Sequence, residues 1–206
     1  MQQGKPLGVI LAGGRSRRMG GINKALQDLS GRPLLGHVIP RMLAQCSGLC
    51  LSVERVDVCW EPFGLPQVVD KQPGSNGPLG GLLAALEYSL GRANHLLLVP
   101  CDAPFLPLDL AQRLAAATET EYEDQNVNVS LVSYQGQWQP TFSLWHTDVL
   151  PSLGSAVKEQ NMKGLKEFIH SVPHAVVSWE EQEISPFFNV NTPADLSAAA
   201  EVLGKE

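Results

Sequence analysis

The 206-residue chain is 44% apolar and 17% charged, which excludes a disordered chain and suits one α/β domain with a substantial core. No apolar stretch approaches the roughly eighteen residues of a membrane helix, and the opening Met1 to Pro6 runs straight into a strand without an apolar leader, so the cytoplasm is the expected compartment. The net charge of −6 is uneven, with seven basic residues and a single acid, Asp28, between Met1 and Val53; that local positive field, lacking interleaved aromatics, suits a small anionic ligand rather than a nucleic acid.

Leu7 to Leu11 is a short apolar run and predicts a buried strand meeting a tight turn. The stretch that follows carries Gly13, Gly14, Gly20 and Gly21, with Arg15, Arg17 and Arg18 between the pairs and Lys24 after them. Glycine allows close backbone approach, exposed N–H groups can form an anion-binding nest, and arginine and lysine donate to phosphate. Neither G-x-G-x-x-G nor the G-K-[ST] ending of a P-loop is present. The residues therefore point to a polyphosphate or nucleotide without naming a reaction, and a solvated basic loop is the competing reading.

Pro33 to Gln45 has helical apolar spacing, with Pro33 as the first helical residue and Pro40 as an interruption. Leu49 to Glu54 reads as a strand, Asp57 to Pro66 as irregular, and Gln67 to Asp70 as a short strand delivering Asp70 at its end. Lys71 to Gly81 is a glycine- and proline-rich loop. A helix begins near Leu79 and runs to Leu90; Gly80 and Gly81 in its first turn reflect either close approach of a ligand or another element or simply poor helix design. Asn94 to Pro100 is the most clearly buried strand, followed at once by Asp102. Pro107 to Ala117 reads as a helix, with Asp109 in its first turn. The acidic stretch Thr118 to Gln125 reads as a solvated connection.

Asn126 to Tyr134 and Trp138 to Trp145 form a β-hairpin about Gln135-Gly136-Gln137. His146 to Leu153 and Lys158 to His170 are helical candidates, the second weakened by Gly164. His174 to Trp179 is a late strand, and Thr192 caps a closing helix from Ala194 to Leu203 behind Pro193. The alternation of strands and helices before Thr118 predicts a three-layer α/β/α architecture with a mostly parallel sheet and a late antiparallel addition. Right-handed crossovers place the loops after Leu11, Val69 and Val99 on one edge. That edge collects Gly13, Gly14, Lys24, Asp70 and Asp102.

A positive glycine loop beside carboxylates fits a magnesium nucleotide, because magnesium uses one or two carboxylates plus phosphate oxygens. Asp102 is the first choice of ligand, with a turn residue as the alternative. Asp70 either orients a substrate or holds a loop. Asn189 and Asn191, two apart in an extended stretch, share a face; they either serve metal or phosphate or bond within a turn. Cys46, Cys50, Cys59 and Cys101 lack zinc spacing and read as small buried residues. The five histidines offer no clear ligand set. Direct nucleotidyl transfer needs no protein nucleophile.

Several segments together resemble the molybdenum cofactor guanylyltransferase (MobA) family, within the nucleotide-diphospho-sugar transferase-like superfamily. They are Leu11-Ala12-Gly13-Gly14 through Arg18-Met19-Gly20-Gly21 to Lys24, Gly31-Arg32-Pro33-Leu34, Asp70, Gly77-Pro78-Leu79-Gly80-Gly81, Pro100 to Pro107, Pro140-Thr141 and Asn189-Val190-Asn191-Thr192-Pro193. The resemblance spans nearly the whole chain and implies a single Rossmann-like nucleotidyltransferase domain over residues 1–206. Its nucleotide-binding half would be 1–118 and its acceptor-binding half 119–206.

By that resemblance the protein transfers GMP from GTP to the phosphate of molybdopterin or Mo-molybdopterin, with Mg2+, releasing pyrophosphate. Leu11, Ala12, Gly13 and Gly14 would hold guanine and ribose, and Asp70 and Gly80 the guanosine. Arg18 and Lys24 would serve the phosphates, and Asp102 the metal. Asn189, Asn191 and Lys163 would face the acceptor. Molybdenum-insertion and molybdoenzyme-maturation proteins would be partners, and neither nucleic acid nor membrane is implied. The paired Gly13-Gly14 is similar to the guanine-selective branch. Asn23 stands where an acid commonly precedes the lysine, Gln139 where a histidine often precedes Pro-Thr, and the basic stretch at Met162, Lys163 and Lys166 is thin. The alternatives are a cytidylyltransferase or sugar-1-phosphate nucleotidyltransferase on the same fold, or a non-catalytic GTP- or molybdopterin-binding protein.

Overall fold

Strands β1 (Leu7–Leu11), β4 (Gly48–Val53), β5 (Gln67–Val69), β6 (His95–Pro100), β7 (Val129–Tyr134), β8 (Gln137–His146) and β9 (His174–Trp179) form one sheet in the order β5-β4-β1-β6-β8-β7-β9. The computed structural model describes residues 4–13, 23–70, 77–120, 127–160 and 162–204. All neighbours pair in parallel except across β8, which is antiparallel to both β6 and β7. A two-residue ladder of β2 (Asp28–Leu29) and β3 (Arg32–Pro33) stands apart.

Side-chain alternation along the central strands builds a core on each face. Ile10 and Val99 pack toward α1 (Leu34–Leu43) and α3 (Leu110–Thr120), through Leu35, Val38, Leu110 and Leu114. Val9 and Leu98 pack toward α2 (Gly77–Ser89), α4 (Leu150–Lys158) and α5 (Leu165–Ile169). Helix α2 buries leucine and alanine on nearly every side, as a helix covered by both a sheet and a neighbouring helix must. The closing helix α6 (Pro193–Leu203) belongs to a third cluster, where Ala199 joins Leu29, Leu34, Phe105 and Val190. The expected architecture is therefore present, with β8 as its antiparallel addition.

Several boundaries differ from the sequence expectation. Pro33 is not the first helical residue; at φ −58° and ψ 147° it precedes α1 and pairs with Asp28. Residues Val58–Phe63 form a 3-10 helix, capped by Asp57 through a bond from the Cys59 N–H to its side chain. Helix α2 opens at Gly77, inside the stretch read as loop. Helix α3 opens at Leu110 rather than Pro107, with the Asp109 carbonyl accepting from the Arg113 N–H. The single helix expected over Lys158 to His170 does not form: α4 ends at Lys158, and α5 starts after Gly164 in an extended conformation. Most of the acidic connection after Thr118 lies outside the described residues.

The hairpin β7–β8 turns on Gln135 and Gly136, both at positive φ. Its register jumps from Leu131 opposite Ser143 to Val132 opposite Gln139. Pro140, Thr141 and Phe142 fill that bulge, which is how a proline is tolerated inside a long strand.

Candidate active site

From β1 the chain runs outward to β4 and β5 on one side, then returns to β6 on the other. The edge beyond β1 and β6 is thus a topological switch point, where a crevice opens at the strand ends. Backbone bonds lock it. The Cys101 N–H donates to the Leu11 carbonyl at 3.1 Å, and the N–H groups of Ala12 and Gly13 both donate to the Ser52 carbonyl at 2.9 Å. These two donors are therefore spent on β4, and an anion nest cannot use them. Gly13 is pressed against that strand, since a Cβ there would lie 3.2 Å from the Glu54 nitrogen. Gly14 and Arg18 lie outside the described residues.

Lys24, Asp102 and Asn191 meet at this edge. Lys24 begins a 3-10 turn, Lys24–Leu26, whose cap is Asn23: its Oδ1 accepts from the Ala25 N–H at 3.1 Å. An asparagine performs here the capping that an acid could also perform. The Lys24 ammonium donates to Asp102 Oδ2 and, at 2.7 Å, to Asn191 Oδ1. Asp102 follows β6, and its backbone carbonyl accepts from the Val190 N–H at 2.9 Å, tying the late segment to the site. The Asn191 amide is oriented by its other end, where Nδ2 donates to the Asn189 carbonyl at 3.1 Å.

A second group surrounds the start of α2. Gly80 is bare because the Asp70 carboxylate occupies the space a Cβ would need, and Gly81 is bare because the Ser52 hydroxyl does the same. The close approach expected for these glycines is thus made by protein atoms. The carbonyl of Lys163 lies against Gly77, one turn earlier, while the residue itself is exposed. Lys163 therefore borders the Asp70–Gly80 group.

The site has one feature that suits a hard cation. Asp102 Oδ1 and Asn189 Oδ1 are buried side-chain oxygens without a hydrogen-bond partner among the described residues. Such atoms carry a cost unless something pairs with them. A magnesium ion that takes one carboxylate, a neutral carbonyl oxygen and substrate phosphates fits this donor set. Cys101, beside Asp102, has its thiol pushed up to about 12, first by burial and then by the neighbouring carboxylate; it is no nucleophile at neutral pH.

Three cysteines are buried as expected, while Cys59 is only partly covered. The histidines stay structural: His37 Nε2 bonds the Leu29 carbonyl, and His170 and His174 flank Trp138. Two residues of the site escape sequence reading. Ser52 sits inside an apolar strand and gives no signal. Asp195 did leave one, the Thr-x-x-Asp spacing of a capping box. Its Oδ2 accepts from the N–H groups of Asn191 and Thr192 at 2.8 Å each, and the Thr192 hydroxyl accepts from the Asp195 N–H at 3.2 Å. The Asn191 bond is the leading cause that holds the Asp195 carboxyl below its ordinary range.

Comparison with known proteins places these features in company. Residues 8–177 match the family described as the MobA-like NTP transferase domain. A molybdenum cofactor guanylyltransferase of Rhodopseudomonas palustris (strain BisB5) is 36% identical over 197 residues, covering 94% of this chain and 92% of that protein. A protein of the same name from Cupriavidus metallidurans is 38% identical over 190 residues, 92% and 91% of the two chains. Among solved structures, the molybdopterin-guanine dinucleotide biosynthesis protein A of Archaeoglobus fulgidus superposes with a TM-score of 0.76 at 20% identity, covering 97% of this chain and all of that one.

Proposed function

This chain belongs to the MobA-like NTP transferase family, and on that premise we propose that it transfers GMP from GTP to the terminal phosphate of molybdopterin or Mo-molybdopterin, releasing pyrophosphate. The observation that carries the reading is the convergence of Lys24, Asp102 and Asn191, from three distant parts of the chain, at the switch point between β1 and β6.

In this reading an acceptor phosphate oxygen attacks the α-phosphorus of GTP. A new P–O bond forms as the bond to the bridging β-phosphate oxygen breaks, and its electron pair leaves with pyrophosphate. Lys24, drawn from Asp102 to the triphosphate, holds negative charge that builds on the transferring group. The Leu11–Gly13 backbone, with Gly14 after it, lines the base and ribose, and Asp70 fixes the guanosine from its seat on Gly80. Arg18 adds a fork of donors for phosphate. Asn189, Asn191 and Lys163 face the acceptor side. Asp102 and Asn189 would hold magnesium, which when bound neutralises phosphate oxygens and orients them. Proteins that insert molybdenum or receive the product would be the partners in the cell. Among the described residues no helix is long and apolar enough to cross a membrane.

The test is pyrophosphate release from GTP, CTP and ATP, each with magnesium and molybdopterin. Acceptor-dependent release from GTP alone is the expected result, and release from CTP with GTP inert would overturn the base assignment. Asp102→Asn should lower kcat about 10²- to 10³-fold, the usual scale for losing one electrostatic contact to the transition state, with the thermal midpoint little changed. Turnover equal to wild type would remove Asp102 from the mechanism.

A further inference from the structure

Asp102 presents its two carboxylate oxygens to different surroundings. Oδ2 accepts from the Lys24 ammonium, and Oδ1 is buried without a partner among the described residues. The two side chains are only 17% and 11% exposed, so water screens the pair poorly. Asn191 Oδ1 gives the same ammonium a second acceptor at 2.7 Å, and Asn191 is itself held by Asp195. A cation is thus already seated at the carboxylate.

The Asp195 carboxylate feels the Lys24 charge, but from behind Asn191. Among the described residues, no group of three or more histidine, cysteine, aspartate or glutamate side chains is arranged to hold a metal. The Asp195 carboxylate behind Asn191 is engaged with the N–H groups of Asn191 and Thr192. A free divalent ion therefore meets one carboxylate already neutralised by an ammonium. A triphosphate changes both sides of this balance. It offers Lys24, a mobile point charge on a flexible stem, stronger acceptors. It also brings the phosphate oxygens that a magnesium-type site needs beyond its one or two carboxylates.

We propose that Lys24 is the specificity-determining residue of the metal site: seated on Asp102, it excludes the free divalent cation and admits one only with a polyphosphate that draws the ammonium away. This rests on the reading above that Asp102 is the metal carboxylate, but not on the identity of the transferred group or the acceptor. Lys24 thereby acts twice, first as the occupant of the carboxylate and then as a phosphate ligand.

The experiment is a manganese titration of nucleotide-free protein, followed by electron paramagnetic resonance of the unbound ion. It compares wild type with Lys24→Met, Lys24→Gln and the double variant Lys24→Met/Asp102→Asn, each first shown to be folded by its thermal melt. Both single variants should bind Mn2+ roughly tenfold or more tighter than wild type, as expected when an adjacent like charge is removed from a poorly screened site. The double variant should lose that gain. Two single variants serve because methionine keeps the packing of the lysine stem and glutamine keeps a polar end; one folded variant suffices. Equal Mn2+ affinity in wild type and the folded variants would overturn the proposal, and so would a gain that survives Asp102→Asn. No turnover is measured, so a protein inactive in guanylyl transfer could still show the gain, and an active one could still lack it.

Discussion

Gly80 has no side chain because the Asp70 carboxylate stands where one would be. A methyl group there meets the movable end of Asp70, so Gly80→Ala should displace the carboxylate without unfolding the protein. We expect a loss of GTP affinity of roughly tenfold, on the scale of one charged hydrogen bond, with a near-native melting temperature. Calorimetric titration of Gly80→Ala, Asp70→Ala and the double variant checks this. The double variant should bind no more weakly than Asp70→Ala, and additive losses would show that Gly80 acts by another route. At this scale much of the site was legible from single positions. Asp70 and Asp102 follow strands, at the edge where such sheets bind ligands, and Lys24 follows a basic glycine-rich stretch. The bond from Lys24 to Asn191 was not legible, because it spans 167 positions and depends on where α6 docks. Nor was the loss of the Ala12 and Gly13 donors, which a neighbouring strand consumes.

Elements were readable where local chemistry and tertiary packing agree. Strand β9 appears with the limits expected, His174–Trp179, and α6 opens behind the Thr192 cap. The failures arise where a local signal was outvoted. One helix was expected over Lys158 to His170, but α4 ends at Lys158 and only Leu165–Ile169 is helical beyond it, behind an extended Gly164. Gly77 to Gly81 looked too rich in glycine for a helix, yet these glycines let α2 start against Lys163, Asp70 and Ser52. The turn of the β7–β8 hairpin shows the same tension. Gln135 sits at φ 51° before Gly136 at φ 72°, a pair of positions that favours Asn-Gly. Gln135→Asn should raise stability by about 0.5–1 kcal/mol by relieving the left-handed cost, less whatever the exposed bond from Gln135 to Glu181 contributes. Urea unfolding should show a higher midpoint at unchanged slope, and a lower midpoint would mean that the side-chain bond outweighs the backbone.

Across the whole molecule, His95 and Asp195 make folding depend on acid. His95 begins β6, at the edge of the sheet opposite the site, and packs edge-on against His146 with ring centroids 4.8 Å apart. Burial, then the nearby His146, pushes its pKa down to about 4, while Asp148 opposes the shift. Between the ordinary histidine value of about 6.5 and that lower one, the unfolded chain binds a proton that the folded chain refuses. Stability should therefore decline as pH falls through this window. The Asp195 carboxyl, also held low, adds stability above its ordinary range that disappears as pH falls through its folded value. Denaturant midpoints between pH 7 and 4 should fall in wild type and fall less in His95→Phe. An unchanged slope in that variant would move the acid sensitivity elsewhere.

The clasp of Asn191 on Lys24 has a further consequence, for how the protein is made. A ribosome that has passed Asp102, two residues beyond β6, has already made Lys24 and its carboxylate partner, together with the cradle around Gly80. The amide that steadies the lysine, on Asn191, is made only after every strand of the sheet. An arrested chain ending after β9 would thus hold both charged residues without their clasp, and the site is complete only once the segment that leads into the last helix has been made.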